Sequence, residues 1–151
     1  MAGEHVRAGG RLVILDQLSM VEAPGRTIGY ERATEVSNRL RILARTLTIP
    51  VVAVSQVNRP ASKGKDHLTI NDLRDSGEIE NDAAAVLLID RIEKPPGPHY
   101  SGTEPVLYMN IIVGKNRYGP ITDPDDPIRL LWWPREARVE DAADCEVCDE
   151  T

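Results

Sequence analysis

A chain of 151 residues, 41% hydrophobic and 28% charged, matches one soluble globular domain able to bury a core without disulfide help. No apolar run approaches the ~20 residues of a membrane-spanning helix, and Met1 to Gly10 is polar and Gly-rich, so neither membrane insertion nor a signal peptide is expected and the default compartment is the cytoplasm. The formal charge of −6 argues against broad nucleic-acid affinity, but it is concentrated at one end: residues 136–151 hold seven acids and one base, leaving 17 of each sign in residues 1–135.

Residues 1–10 read as a disordered N-terminus. Leu12-Val13-Ile14-Leu15, ending at Asp16, is short and rich in β-formers, which predicts a buried strand. Ser19 to Tyr30 contains Pro24, Gly25 and Gly29 and reads as a loop. In Glu31 to Leu47 the apolar residues Val36, Leu40, Leu43, Ala44 and Leu47 recur at helical spacing, with Arg32, Arg39, Arg41 and Arg45 off that stripe and Pro50 beyond its end. Val51 to Ser55 predicts a second buried strand, and Asn58 to Thr69 a polar loop.

Ile70 to Asn81 has room for a short helix interrupted at Gly77, and Ala83 to Ile89 reads as a third strand. Glu93 to Gly102, with three prolines and two glycines, reads as a turn. Val106 to Val113 and Ile128 to Trp133 predict two more strands, separated by a loop over Lys115 to Asp126. Residues 136–151 read as an acidic disordered tail. Strand, helix, strand and then strands without a crossover helix imply an α/β fold: a mostly parallel sheet with antiparallel edge strands and flanking helices.

Four places carry residue types with chemical use. Asp16, at the C-terminal end of an apolar strand, stands where open α/β sheets bind ligands and where P-loop ATPases hold Mg²⁺; an Asp there also simply caps a turn. Gln56, just past the second strand, has an amide able to donate to a phosphate oxygen and accept from a water, or to rest in solvent. Asp72-Leu73-Arg74-Asp75-Ser76-Gly77 offers a guanidinium beside a glycine turn. Lys115-Asn116-Arg117 places two cations two residues apart, which share a face if the strand continues. Cys145 and Cys148 form one C-x-x-C pair without the second pair that a structural zinc needs.

In their order and spacing these segments resemble the C-terminal ATPase domain of DnaB-type replicative DNA helicases. L-V-I-L-D-Q-L (12–18) is similar to the family's Walker B strand, P-V-V-A-V-S-Q-V-N-R (50–59) to its sensor strand, and D-L-R-D-S-G-E-I-E-N-D-A (72–83) to its D-L-R-E-S-G-x-I-E-Q-D-A signature. K-N-R-Y-G-P (115–120) resembles its K-x-R-x-G finger, and I-R-L-L-W-W-P (128–134) its last strand, so that residues 11–139 are covered. Asp75 stands in place of the usual Glu, Gln17 in place of Tyr, and Ala84 in place of an acid.

The resemblance implies a RecA-like core using ATP and Mg²⁺, in a homo-hexameric ring around single-stranded DNA. Asp16 would be the Mg²⁺ residue and Gln56 the sensor. Arg74, Asp75 and Gly77, with Arg59, would face DNA. Lys115 and Arg117 would act on the nucleotide of a neighbouring subunit. No stretch of the 151 residues reads G-x-x-x-x-G-K-[ST], the loop that grips phosphates. The expectation is therefore a helicase piece inactive alone, whether a truncated reading frame, a fragment or a half complemented by a chain carrying that loop, with an open sheet edge favouring association. Two other classes stay open: another RecA-fold ATPase of recombinase or clock type, and a non-catalytic module that modulates a helicase ring.

Overall fold

The computed structural model describes residues 2–22, 29–57, 68–73, 76–92 and 106–142. Two units divide the chain: Met1–Lys63 with Ile70–Ala84, and Gly64–Thr69 with Ala85–Thr151.

The first unit opens with helix α1, Ala2–Arg7, where disorder was expected. Glu4 in its first turn complements the helix dipole, and Gly9, at φ 95°, lets the chain leave the helix. Strand β1 is Val13–Asp16 and strand β2 is Val51–Val54; they pair in parallel, Val13 opposite Val51 and Asp16 opposite Val54. Helix α2, Gly29–Leu47, connects them, and a 3-10 turn at Leu18–Met20 precedes it. Ile49 N–H donates to the Ala44 carbonyl at 3.2 Å, closing the helix end, and Thr48 takes the left-handed position there at φ 53°.

The apolar stripe of α2 does what its spacing predicts. Val36 is buried with Leu18, and Leu15, Val21, Leu40 and Ile79 pack around them. The strands depart from expectation. A continuous apolar run suggests burial on both faces, yet Ile14 is 66% exposed and Val52 51% exposed. These two are register partners, so one face of the pair lies on the α2 side and the other is open to solvent.

Helix α3, Ser76–Asp82, follows a 3-10 turn at Ile70–Asp72. Gly77 lies in its first turn rather than interrupting it, because a glycine next to a helix start costs little of the ladder.

The second unit holds strands β3 (Ala85–Ile92), β4 (Leu107–Asn116), β5 (Ile128–Trp133) and β6 (Arg138–Asp141). Among the described residues they form a four-stranded antiparallel sheet in sequence order. Alternation sets its two faces. Leu88 at 2% exposure, Ile112 and Leu131 lie buried on one side, while Leu87 and Ile89, each 61% exposed, lie on the other. The Asn110 side chain is buried in this unit with its Oδ1 unpaired.

Two expectations shift here. β4 runs three residues past Val113 and takes in Lys115, which was expected in a loop. β6 also forms where the acidic tail was expected. Its start is held by Arg138, the tail's single base, which stacks 4.0 Å from the Trp133 ring centroid and pairs with Glu136 and Glu140. Residues 143–151, with Cys145 and Cys148, lie outside the described residues, as do 23–28 of the loop read over 19–30, 58–67 of the loop read over 58–69, and the turn read over 93–102.

Candidate nucleotide and DNA site

Parallel pairing gives the first unit its site. Because β1 and β2 run the same way in register, their carboxyl ends coincide. Asp16 ends β1 opposite Val54, and Gln56 follows two residues beyond Val54. Both side chains are exposed at that end, and the peptide after Asp16 is cis. This is the end at which open α/β sheets bind ligands.

A small pocket of about 60 Å³ opens there, with Gln56, Ser55, Ser19 and Arg32 among its polar lining and Leu18 and Ile79 among its apolar wall. Arg32 is a residue that helical periodicity assigns only to the polar face of α2. Its place beside Gln56 comes from the start of α2 folding over the strand ends, which no local pattern signals. No group of three or more His, Cys, Asp or Glu side chains able to hold a metal ion occurs among the described residues. One carboxylate suits Mg²⁺, which is commonly held by one or two carboxylates together with substrate phosphates.

The 72–83 segment divides into a part that is anchored and a part that is presented. Leu73 forms an antiparallel bridge with Val57, the residue after Gln56. Asp72 is buried, and Ile79 packs on the Leu18–Val36 core. Asp82 pairs with Arg41 of α2, Nε to Oδ1 2.9 Å. Between these anchors stands Gly77, exposed, with nothing within 4 Å of where a Cβ would be. Arg74 and Asp75, and Arg59 in the loop after β2, lie outside the described residues.

The finger segment belongs to the second unit. β3 pairs Leu87 with Val113 but Val86 with Lys115, so Gly114 is an extra residue, a β-bulge. The bulge puts Lys115 on the same side as Val86. The strand ends at Asn116, and Arg117 and Tyr118 form an exposed turn. The strand continuation on which a shared face for Lys115 and Arg117 depended stops at Asn116, one residue before Arg117.

Residues 4–140 match the family described as the DnaB-like helicase C terminal domain. The chain belongs to this DnaB-like helicase family. It is 38% identical over 141 residues to the replicative DNA helicase DnaB of Pasteurella multocida (strain Pm70), covering 90% of this chain and 28% of that one. It is 33% identical to the replicative DNA helicase DnaB of Buchnera aphidicola subsp. Baizongia pistaciae (strain Bp), covering 94% and 29%.

Among solved structures it resembles a DnaB-like replicative helicase studied with its primase, at TM-score 0.64 and 25% identity, covering 85% of this chain and 30% of that one. A second solved structure, an isolated ATPase domain, shares the fold at TM-score 0.71 and 21% identity, over 93% of this chain and 49% of that one. The chain thus spans under a third of the length of these curated DnaB relatives. The α/β fold expected from the sequence is that of these ATPase domains, here with its parallel and antiparallel strands in separate sheets. No helix among the described residues is long and apolar enough to cross a membrane.

Proposed function

We propose that this chain supplies the sensor, DNA-facing and trans-acting parts of an ATP-driven replicative helicase motor that translocates on single-stranded DNA and unwinds duplex. The observation that carries this is the shared carboxyl end of the β1–β2 pair, where Asp16 closes one strand and Gln56 follows two residues past the other. Asp16 is the residue that would hold Mg²⁺, a cation commonly bound by one or two carboxylates together with substrate phosphates. Bound Mg²⁺·ATP supplies the phosphoanhydride and a cation that neutralises charge between its phosphates. The Gln56 amide contacts the terminal phosphate or the attacking water, and the Val57–Leu73 bridge links that residue to the signature segment.

Arg74 and Asp75, with Arg59, are the residues that would contact DNA, and the space over Gly77 would let a sugar-phosphate backbone come close. Lys115 and Arg117 serve the nucleotide of the next subunit in a homo-hexameric ring. Their positive charge would offset the negative charge on the phosphoryl oxygens. The phosphate-gripping loop comes from another segment or chain, because none of these 151 residues provides it.

The test is reconstitution. Co-purified with a family segment carrying G-x-x-x-x-G-K-[ST], the chain should hydrolyse Mg²⁺·ATP with stimulation by oligo(dT). Asp16→Asn and Arg117→Ala should each abolish turnover. Absence of hydrolysis in a soluble reconstituted assembly would overturn the proposal. Calorimetry on the isolated chain should give no tight Mg²⁺·ATP binding, and tight binding would show that the phosphate grip resides within it.

A further inference from the structure

The turn that carries Arg117 is fastened at two levels, and neither fastening uses a charged residue. At its base, Val113 N–H donates to Thr122 Oγ1 at 3.2 Å, and Thr122 N–H donates to the Val113 carbonyl at 3.1 Å. At its tip, one side chain spans the whole turn. Asn116 Oδ1 accepts from Tyr118 N–H at 3.2 Å, and Asn116 Nδ2 donates to the Pro120 carbonyl at 3.2 Å. Arg117 is the residue enclosed by the first of these bonds. With Oδ1 holding the amide beyond it and the pairing of Asn116 with Ala85 holding the residue before it, the direction in which the Arg117 side chain leaves the turn is set.

Gly119 completes the device. A Cβ there would sit 2.7 Å from Asn116 Nδ2 and 3.5 Å from its Cγ. The nearer atom is the far end of a flexible side chain, so an alanine would be accommodated by the amide swinging away. The glycine in K-N-R-Y-G is therefore explained by the space the Asn116 amide occupies and not by backbone conformation, and the two residues act as one unit.

We infer that Asn116 is a positioning residue for Arg117, and that Gly119 acts through it. This rests on Arg117 acting on a neighbouring subunit's nucleotide. An arginine that must reach a phosphoryl group across a subunit boundary loses much of its effect when displaced by ~1 Å. The tip of the turn stands in solvent: Arg117, Tyr118 and Gly119 are exposed, Tyr118 at 86%. Fixing that direction before the neighbour arrives is a task that the Asn116 amide performs and a generic polar side chain at that position would not.

The experiment uses the chain reconstituted with a segment carrying the phosphate loop, with Mg²⁺·ATP and oligo(dT) as probes. Asn116→Ala should lower kcat about tenfold with KM for Mg²⁺·ATP held within about twofold, the signature of a contact made in the transition state only. Gly119→Ala should reproduce that loss, and the double variant should be no worse than either single one, because both remove the same contact. Circular dichroism of each variant should match the wild type.

If Asn116→Ala keeps the wild-type kcat, or if the two losses multiply in the double variant, the inference is wrong. If the wild type itself turns over and Arg117→Ala turns over equally well, the trans-acting role of Arg117 falls and takes the positioning role with it. Those two patterns cannot be confused, since the first leaves the Arg117→Ala loss intact.

Discussion

Arg41 of α2 and Asp82 at the end of α3 form an ion pair, Nε lying 2.9 Å from Oδ1. It is a charge pairing more than an aligned hydrogen bond: Arg41 Nε has no hydrogen-bond partner, and the guanidinium donates instead from Nη2 to Asn38 Oδ1 at 2.7 Å. The pair fastens the far end of the helix that follows the signature turn. Because the Arg41 side chain is 38% exposed and that of Asp82 19%, solvent screens part of the attraction. Asp82→Ala should therefore cost about 1 kcal/mol, read from the urea midpoint of the first unit. A loss below about 0.3 kcal/mol would mean that the Ile79 packing holds α3 unaided.

The two faces of the antiparallel sheet should respond unequally to the same change. Leu88→Ala empties a buried position and should cost about 2–5 kcal/mol. Leu87→Ala, one residue away on the exposed face, should stay within about 0.5 kcal/mol of wild type. Equal losses in urea denaturation would show that both faces are covered in solution.

Thr48 is a β-branched residue in the left-handed region, where its side chain crowds the backbone. Thr48→Gly relieves that crowding at a helix end that already has the corresponding hydrogen bond from Ile49 to Ala44. Stability should rise by about 1 kcal/mol, seen as a higher denaturation midpoint. A fall would mean that the backbone entropy glycine adds to the unfolded chain outweighs the relief.

Ile14, Val52 and Val54 give the β1–β2 pair an open apolar face. Concentration-dependent association of the isolated chain is expected in sedimentation velocity, and Ile14→Thr with Val52→Lys should reduce it. A monodisperse monomer at every concentration would remove this face as its cause.

Much of this was legible beforehand because it rests on local pattern. The stripe of α2 and the run from Ile128 to Trp133 are periodic signals that need no partner to be recognised. The solvent-facing side of β1 and β2 was not legible, since Val-Val-Ala-Val reads alike whether one face is covered or two. β6 was hidden by composition: an acidic stretch reads as solvated until Arg138 is seen on Trp133.

The candidate site divides in the same manner. Asp16, Gln56, Lys115 and Arg117 announce themselves by residue type at the end of apolar runs. Arg32 and Asn116 do not, because the first reaches its place through tertiary packing and the second through bonds to backbone two and four residues away.

The bulge at Gly114 has an evolutionary and engineering corollary. Strict alternation continued from Val113 would send Lys115 to the side of Leu87, away from Val86. The bulge cancels that extra step, so the lysine faces the way it would if Gly114 had never been there. Deleting Gly114 should therefore leave Lys115 opposite Val86 in a regular ladder, and a one-residue length difference at this point is silent for the lysine's direction. The same deletion within the regular part of β4 has no such buffer and would turn part of the strand over. Lineages could gain or lose a residue here without re-aiming Lys115, and a designer seeking a permissive splice point in the strand has one already marked by a glycine.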